Sequence, residues 1–213
     1  MKNYSNIEEI ENKVVPLFGL VLTGGKSTRM KTDKAAIHYY GTSQEKYVYD
    51  MLAKKCGKTF LSCNKDQAAT KKEMPVIEDV FFEMGPMAGI LSAFQSFPHV
   101  AWLAVACDLP FLSEDTIAFL IKNRNVTKMA TAFVDSTGKY PEPMVAIWEP
   151  KSYAALLQAV SEKNSSLSKV LMNDDVELLK MPNEREFTNV NYPVEYQEVI
   201  KKLNQPLKTI HSL

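Results

Sequence analysis

The sequence predicts a three-layer α/β fold built around a mostly parallel sheet. Strand-like apolar runs alternate with helical patterns along the chain, the order that produces parallel strands joined by helices. One run, VAWLAVACDLP, is almost continuously apolar, as expected of a strand covered on both faces. The 213 residues, 46% of them hydrophobic, suffice for one such domain. We expect a polar extension over residues 1–13 and a single domain over residues 14–213.

The first half of the chain begins with an apolar run, Val14 to Leu22, which contains Pro16 and Gly19 and ends in a turn, so we predict a buried strand. Residues 43–56 have helical spacing of apolar side chains behind Ser43, a suitable N-cap. Two further strands are predicted at TFLSCN and PVIEDVF, and a buried helix at MAGILSAFQSF.

In the second half, the strand VAWLAVACDLP is followed by a helix that Ser113 caps, with acidic residues in its first turn. The remaining predictions are strands at KMATAFV and PMVAIW, helices near 151–162 and 165–173, a short strand at FTNVN, and a closing helix at PVEYQEVIKKL. Pro193 stands at the start of that last helix, a favoured position for proline.

Composition excludes several classes of function. Lys and Arg number 25, as do Asp and Glu, so the totals give no basic surface for nucleic acid. No apolar stretch reaches the roughly 20 residues needed to span a bilayer, and acidic residues stand where a secretory signal would carry positive charge. We therefore expect a cytoplasmic protein without nucleic-acid or membrane partners. Three cysteines without CxxC spacing indicate buried, reduced thiols.

The stretch FGLVLTGGKSTRM, residues 18–30, resembles a phosphate-binding loop but does not match the Walker motif. With Gly25 as the second glycine of G-x-x-x-x-G-K-[ST], the first position holds Leu20; with Gly24, the lysine position holds Gly25. A P-loop ATPase is therefore disfavoured. Adjacent glycines at the carboxyl end of the first strand nevertheless allow a ligand to approach the backbone closely.

Four cations follow the glycine pair within ten residues: Lys26, Arg29, Lys31 and Lys34. Backbone donors together with Arg29 and Lys34 provide enough positive charge to hold a triphosphate without a Walker lysine. A solvated basic loop would have the same composition, so these residues alone leave both interpretations open.

Acidic and amide residues end the other predicted strands. Asp108 follows the apolar strand AWLAVAC, where a carboxylate suits Mg²⁺ bound to nucleotide phosphates. Asp79 and Asn64 end two further strands. Each alone is typical of a turn, but together they predict a row of polar groups at one edge of the sheet.

These pieces resemble the molybdenum cofactor guanylyltransferases, within the nucleotidyltransferases of nucleotide-diphospho-sugar transferase type. The matching segments are LTGGKSTRM with DKA, the Asn closing the second strand, VIED, GPMAGI, CDLPFL and NVNYP, over roughly residues 17 to 200. The resemblance implies a Rossmann-like fold. It also implies transfer of GMP from Mg-GTP to the terminal phosphate of the molybdenum-carrying molybdopterin, with release of pyrophosphate.

The resemblance also implies residue roles. The nucleotide would be bound by Leu22, Thr23, Gly24, Gly25, Lys34, Asn64, Asp79 and Asp108. Asp108 would also hold Mg²⁺, and Lys34, Asp108 and Arg29 would be the catalytic residues. Gly85, Asn189 and Asn191 would lie on the pterin side or beside the site. Proteins that deliver or accept the molybdenum cofactor would be possible partners.

The sequence departs from the family at Lys31, where a glycine usually follows Arg-Met. A side chain at that position alters the expected loop geometry more than the class of reaction. Three alternatives stay open: a cytidylyltransferase acting on the same pterin, an enzyme activating another metabolite, and a nucleotide-binding module without catalysis.

Overall fold

The computed structural model describes residues 15–23, 42–71 and 73–189. Over these residues the strands are β1 Leu17–Leu22, β2 Thr59–Cys63, β3 Val76–Glu78, β4 Ala101–Ala106, β5 Ala130–Val134, β6 Pro141–Trp148 and β7 Val176–Lys180. The helices are α1 Gln44–Ala53, α2 Lys65–Ala68, α3 Pro86–Ser96, α4 Glu114–Lys122, α5 Ser152–Ser161 and α6 Leu167–Asn173, followed by a 3-10 helix over Glu184–Phe187.

The strands form one sheet in the order β3-β2-β1-β4-β6-β5-β7. The pairs β1–β2, β1–β4, β2–β3 and β5–β7 are parallel, whereas β6 runs antiparallel to both β4 and β5. The predicted α/β class with a mostly parallel sheet is therefore confirmed. The reversed strand β6 has a consequence for the site, because its first residues lie at the edge where the parallel strands end.

Helices cover both faces of the sheet, which gives the three layers. Helices α3, α5 and α6 pack on the face that carries Leu20 and Trp102, and α1 and α4 pack on the face that carries Val21 and Leu103. Successive residues of a strand point to opposite faces, so a central strand with two covered faces must be apolar throughout. All six residues of β4 are buried.

Two helix starts follow the predicted capping. The Ser43 side chain accepts a hydrogen bond from the amide of Lys46 at the start of α1, and Ser113 accepts one from Thr116 at the start of α4. Each cap satisfies a backbone donor that the first turn of a helix leaves without an intrahelical acceptor.

The structure differs from the predictions near the end of the described chain. Strand β7 was not predicted. The predicted strand at FTNVN is wrong over its described residues, because Phe187 ends the 3-10 helix and the two residues after it are outside any strand. The Asn183 side chain caps this helix by accepting from the amide of Arg185, and the ring of Phe187 packs 5.1 Å from that of Phe133. The predicted closing helix lies outside the described residues.

Two smaller predictions concern membranes and cysteines. Within the described ranges, no helix combines the length and the apolar character needed to cross a membrane. Cys63 and Cys107 are buried and Cys56 is half-buried. Burial raises the pKa of the Cys56 thiol to about 12 and that of Cys63 to about 11, so both stay protonated and unreactive near neutral pH.

Candidate functional site

Polar side chains follow four neighbouring strands at the carboxyl edge of the sheet. Thr23 follows β1, Asn64 follows β2, Asp79 follows β3, and Asp108 lies two residues beyond β4. The strand order puts them in the row Asp79, Asn64, Thr23, Asp108 along that edge. Open α/β sheets bind ligands at this edge, so the row is the candidate site.

The strand ends are held in register by backbone hydrogen bonds that continue past the strands. The amide of Asp79 donates to the carbonyl of Cys63 over 2.9 Å, and the amide of Cys107 donates to that of Leu22 over 3.3 Å. Leu22 itself is 6% exposed, so it contributes backbone groups to the edge rather than a side chain.

Asp108 is half-buried and is held from the far end of the described chain. The side-chain amide of Asn189 donates to Asp108 Oδ2 over 2.7 Å. The segment that carries Asn189 is anchored nearby, because Glu186 Oε2 accepts from both the amide (3.0 Å) and the hydroxyl (2.8 Å) of Ser113. The structure thus brings together two residues that the sequence predicted for the site.

Glu142 is a further acidic residue at this edge, and it was not among the predicted site residues. It lies near the start of β6, the strand that pairs with β4, and close enough to Asp108 for the two carboxylates to interact. Its Oε1 accepts from the amide of Met144 over 2.8 Å. Burial raises the pKa of Glu142, and the charge of Asp108 adds to the rise. A lone glutamate near the start of the apolar strand PEPMVAIW is the sequence signal that could have identified it.

Asp79 is half-buried beside the hydroxyl of Ser62, which donates to Asp79 Oδ1 over 2.7 Å. Burial raises the pKa of Asp79, the Ser62 hydrogen bond lowers it, and the neighbouring charge of Glu78 raises it. The result is a carboxylate with its orientation fixed and its ionised form disfavoured.

Asn64 has a structural contact of its own. Its side chain accepts from the amide of Gln67 over 2.9 Å, and Gln67 Oε1 accepts in return from the amide of Asn64 over 3.3 Å. This reciprocal pair is a capping box that starts the short helix α2. The side chain is exposed.

Gly85 immediately precedes α3 and has φ +55° and ψ −137°, a combination that only glycine adopts readily. A Cβ at this position would meet no atom within 4 Å. The backbone conformation, not lack of space, therefore requires glycine at the turn that leads from β3 into α3.

Several predicted site residues lie outside the described residues: Gly24, Gly25, Arg29, Lys34 and Asn191, together with Lys31. The residues that flank the glycine segment are described. Thr23, before it, follows β1 directly. Gln44, after it, donates through Nε2 to the carbonyl of Leu109 over 3.4 Å. Both flanking residues therefore lie beside the end of a strand that carries a candidate site residue.

The described part of the site suits a metal bound by few protein ligands. Over residues 15–23, 42–71 and 73–189, no group of three or more His, Cys, Asp or Glu side chains is arranged to hold an ion. Mg²⁺ in nucleotide sites usually takes one or two carboxylates, with phosphates and water completing its shell. Asp108 and the nearby Glu142 are the carboxylates at this edge that match that number.

Comparison with known proteins identifies relatives of the whole described fold. Residues 19–178 match a family described as the MobA-like NTP transferase domain. A molybdenum cofactor biosynthesis bifunctional protein of Synechocystis is 35% identical over 205 residues, which is 93% of this chain and 59% of that protein. The chain therefore spans about three fifths of the length of this relative.

Two further proteins match over nearly the whole of their own length. A molybdenum cofactor guanylyltransferase of Pseudomonas putida is 27% identical over 84% of this chain and 95% of its own. The crystal structure of molybdopterin-guanine dinucleotide biosynthesis protein A from Archaeoglobus fulgidus superposes with a TM-score of 0.73, at 20% identity, over 87% of this chain and 98% of that one. The second match supports the fold.

Proposed function

The chain belongs to the family of MobA-like NTP transferase domains, and on that premise we propose that it is a molybdenum cofactor guanylyltransferase. It transfers GMP from Mg-GTP to the terminal phosphate of molybdenum-molybdopterin and releases pyrophosphate, giving the guanine dinucleotide cofactor. The observation that carries the proposal is the Asn189–Asp108 hydrogen bond of 2.7 Å. It joins the CDLP and NVN segments, two of those that make the sequence resemble this enzyme.

The proposed substrates are supported by the named relatives. The Pseudomonas putida protein is a molybdenum cofactor guanylyltransferase and aligns over 95% of its length. A name of this kind implies GTP as donor and the molybdenum cofactor as acceptor. Proteins that deliver or accept the cofactor are the corresponding protein partners.

The proposed roles divide the edge of the sheet into two halves. Asp79 and Asn64, with the backbone of Leu22, Thr23, Gly24 and Gly25, bind the nucleoside and its phosphates. Asp108 lies where the two substrates meet. Gly85, Asn189 and Asn191 line or support the acceptor side.

In the proposed reaction an oxygen of the acceptor's terminal phosphate forms a bond to the α-phosphorus of GTP. The bond from that phosphorus to the bridging oxygen of the β-phosphate breaks, and pyrophosphate leaves with the electron pair. No covalent protein intermediate is required, so the protein contributes positioning and charge neutralisation. Lys34 and Arg29 offset charge on the leaving group.

Mg²⁺ supplies charge neutralisation for the phosphates when it is bound, and Asp108 is the residue that would hold it. Asn189 donates to one oxygen of that carboxylate and so fixes its orientation. Glu142 adds negative charge on the neighbouring strand, which favours a cation at the same position.

Three other functions are compatible with the same row of polar groups. A cytidylyltransferase on the same pterin would have the same edge of polar groups, as would an enzyme activating another metabolite. A non-catalytic nucleotide-binding module would retain affinity for nucleotides without releasing pyrophosphate.

A donor panel tests the proposal. The purified protein is incubated with Mg²⁺, an acceptor bearing molybdopterin, and GTP, CTP, ATP or UTP, and pyrophosphate release is measured. GTP should give the highest rate, and release should require the acceptor. A CTP rate equal to or above that of GTP would contradict the guanylyl assignment, and no release with any donor would support the binding module.

A pair of substitutions tests the catalytic residues. Lys34→Ala and Asp108→Asn should each lower the rate of pyrophosphate release by roughly 10²–10³, the usual cost of one preorganised charged contact, while the circular dichroism spectrum is retained. Asp66→Asn, a substitution at an exposed aspartate of α2, is the matched control and should leave the rate unchanged. Near-normal release by either site variant would refute its assignment.

A further inference from the structure

Ser62 forms hydrogen bonds with two residues predicted to bind the nucleotide. It was not itself a predicted site residue, because it lies inside a strand and not after its end. It is 2% exposed near the end of β2. Its hydroxyl donates to Asp79 Oδ1 over 2.7 Å. Its carbonyl accepts from both the amide (3.1 Å) and the hydroxyl (2.8 Å) of Thr23. One buried residue thus contacts the carboxylate after β3 and the residue that precedes the glycine pair after β1.

Helix α3 leaves the space that the Ser62 hydroxyl occupies. A Cβ built on Gly89 would lie 2.1 Å from Ser62 Oγ, 3.1 Å from Ser62 Cβ and 3.0 Å from Leu22 Cδ2. Contacts under 3.0 Å between a Cβ and another heavy atom essentially never occur. The second glycine of GPMAG is therefore required for α3 to pack over a serine at this position.

The same helix holds the backbone beside Asp79. Ser92 Oγ accepts from the amide of Val80 over 2.9 Å and donates to the carbonyl of Ala88 over 2.8 Å. Ser92 is 1% exposed. Two hydrogen bonds therefore hold this residue: Ser62 orients the carboxylate of Asp79, and Ser92 holds the peptide that follows it.

From these contacts we infer that Ser62 is a positioning residue for the nucleotide. Its hydroxyl, in the space left by Gly89, occupies Asp79 Oδ1 and turns the carboxylate so that Oδ2 accepts hydrogen bonds from donors on the bound nucleoside. The inference rests on the proposed function, because it takes Asp79 as a nucleotide-binding residue. Ser62 does not touch the reacting phosphates and acts only through Asp79.

The primary test compares Ser62→Ala with Ser152→Ala. Ser152 is likewise buried, with 1% exposure against 2% for Ser62, and its hydroxyl donates to the carbonyl of Glu149 at the opposite edge of the sheet, so it controls for removal of a buried hydroxyl. Affinity for Mg-GTP is measured by calorimetry between pH 4 and pH 8. This range covers the titration of an aspartate whose pKa lies above its ordinary value of about 4. We expect Ser62→Ala to bind GTP roughly tenfold more weakly, from loss of a hydrogen bond to a charged group. Ser152→Ala should bind like the wild type.

A pH-dependent readout separates positioning from a general loss of packing. The Ser62 hydrogen bond lowers the pKa of Asp79, so its removal raises that pKa. The acid side of the GTP-binding profile should move to higher pH in Ser62→Ala and stay in place in Ser152→Ala. The carboxyl carbon of Asp79, labelled with ¹³C and followed by NMR without nucleotide, should show the same shift.

Gly89→Ala should displace the Ser62 hydroxyl from Asp79 without replacing Ser62, because the new Cβ would overlap that hydroxyl. It should weaken GTP binding, and the double variant Ser62→Ala/Gly89→Ala should bind little more weakly than Ser62→Ala. Such non-additivity is the mark of residues that act through one contact.

The outcomes distinguish the inference from the proposed function. Unchanged GTP affinity and an unchanged titration of Asp79 in Ser62→Ala would overturn the inference, as would a shifted titration with wild-type affinity. A wild-type protein that binds none of the four nucleotides would instead contradict the proposed function, and the positioning role would fall with it.

Discussion

The side-chain amide of Asn189 donates to the carboxylate of Asp108 over 2.7 Å and joins residues 81 positions apart in the chain. The 3-10 helix before Asn189 is bonded to Ser113 through Glu186, a second contact between the same two parts of the chain. Glu142, on the adjacent strand β6, raises the density of negative charge around the same carboxylate. Asp108 is therefore oriented by a neutral donor and flanked by a second acid, an arrangement suited to binding one divalent cation.

Replacing Asn189 by alanine should lower the rate of pyrophosphate release about tenfold. A hydrogen bond to a charged group contributes about 1.5–3 kcal/mol, and without it the orientation of the Asp108 carboxylate is held less tightly. The rate is measured with saturating GTP and acceptor. Thr188→Ala, at the exposed neighbouring residue, is the control and should match the wild type, and equal rates for the two variants would exclude an orienting role for Asn189.

Glu142→Gln should weaken the binding of Mg²⁺ in the presence of GTP by roughly fivefold, the effect of about 1 kcal/mol of lost attraction. The substitution keeps the acceptor oxygen for the Met144 amide and removes only the charge. Affinity is measured by titrating the GTP-bound protein with Mg²⁺, or with Mn²⁺ observed by electron paramagnetic resonance. Glu162→Gln, at the end of α5, is the control, and equal affinities in the two variants would place Glu142 outside the cation's environment.

Asp79→Asn should stabilise the fold while weakening GTP binding by about tenfold. Burial raises the pKa of Asp79 in the folded protein, so folding favours its protonated form. The stability from that form is complete below the unfolded pKa and is lost as the pH rises through the folded pKa. At neutral pH the ionised Asp79 costs stability, and asparagine removes the cost.

The pH dependence checks this sign. The gain in the free energy of unfolding, measured by urea denaturation, should be largest at neutral pH. It should shrink as the pH falls and the wild-type Asp79 becomes protonated. A gain that grows on acidification would show that Asp79 is stabilised as the anion, contrary to the burial that surrounds it.

The sequence predicted those elements whose signals are local. Ser43 and Ser113 mark two helix starts through caps formed within three residues of the chain, and the apolar run of β4 marks a strand covered on both faces. Strand β7, with sequence VELLK, was missed because it is half-exposed and its two adjacent leucines break the alternation of a one-sided strand.

The site was predictable only in part, because the sequence shows local features and not contacts between distant parts of the chain. Residues that end strands, such as Asp79 and Asp108, stand next to recognisable turns. Ser62 and Glu142 lie inside strands, and their importance comes from neighbours supplied by other parts of the chain. Gly89 illustrates this limit of prediction from sequence. A glycine within a helical pattern does not indicate which side chain on a neighbouring strand occupies the space it leaves.

Arg124 should be the most important polar residue for stability at the other edge of the sheet. Its Nε and one terminal nitrogen donate to Glu149 over 2.6 and 2.9 Å, and its other terminal nitrogen donates to the carbonyl of Val15 over 3.0 Å. The two side chains are 10% and 1% exposed. Arg124→Met should lower the free energy of unfolding by about 3–5 kcal/mol, because it leaves the buried Glu149 charge uncompensated.

Two comparisons separate this charge effect from a general loss of contacts. Lys46→Met breaks the exposed pair with Asp50, whose side chains are 46% and 48% exposed, and should cost less than about 1 kcal/mol. The double variant Arg124→Met/Glu149→Met should recover much of the loss, since no unpaired charge then remains in the interior. Denaturation midpoints in urea measure all three variants. If adding Glu149→Met to Arg124→Met lowered the free energy of unfolding further, as an independent substitution would, packing and not charge compensation would account for the role of Arg124.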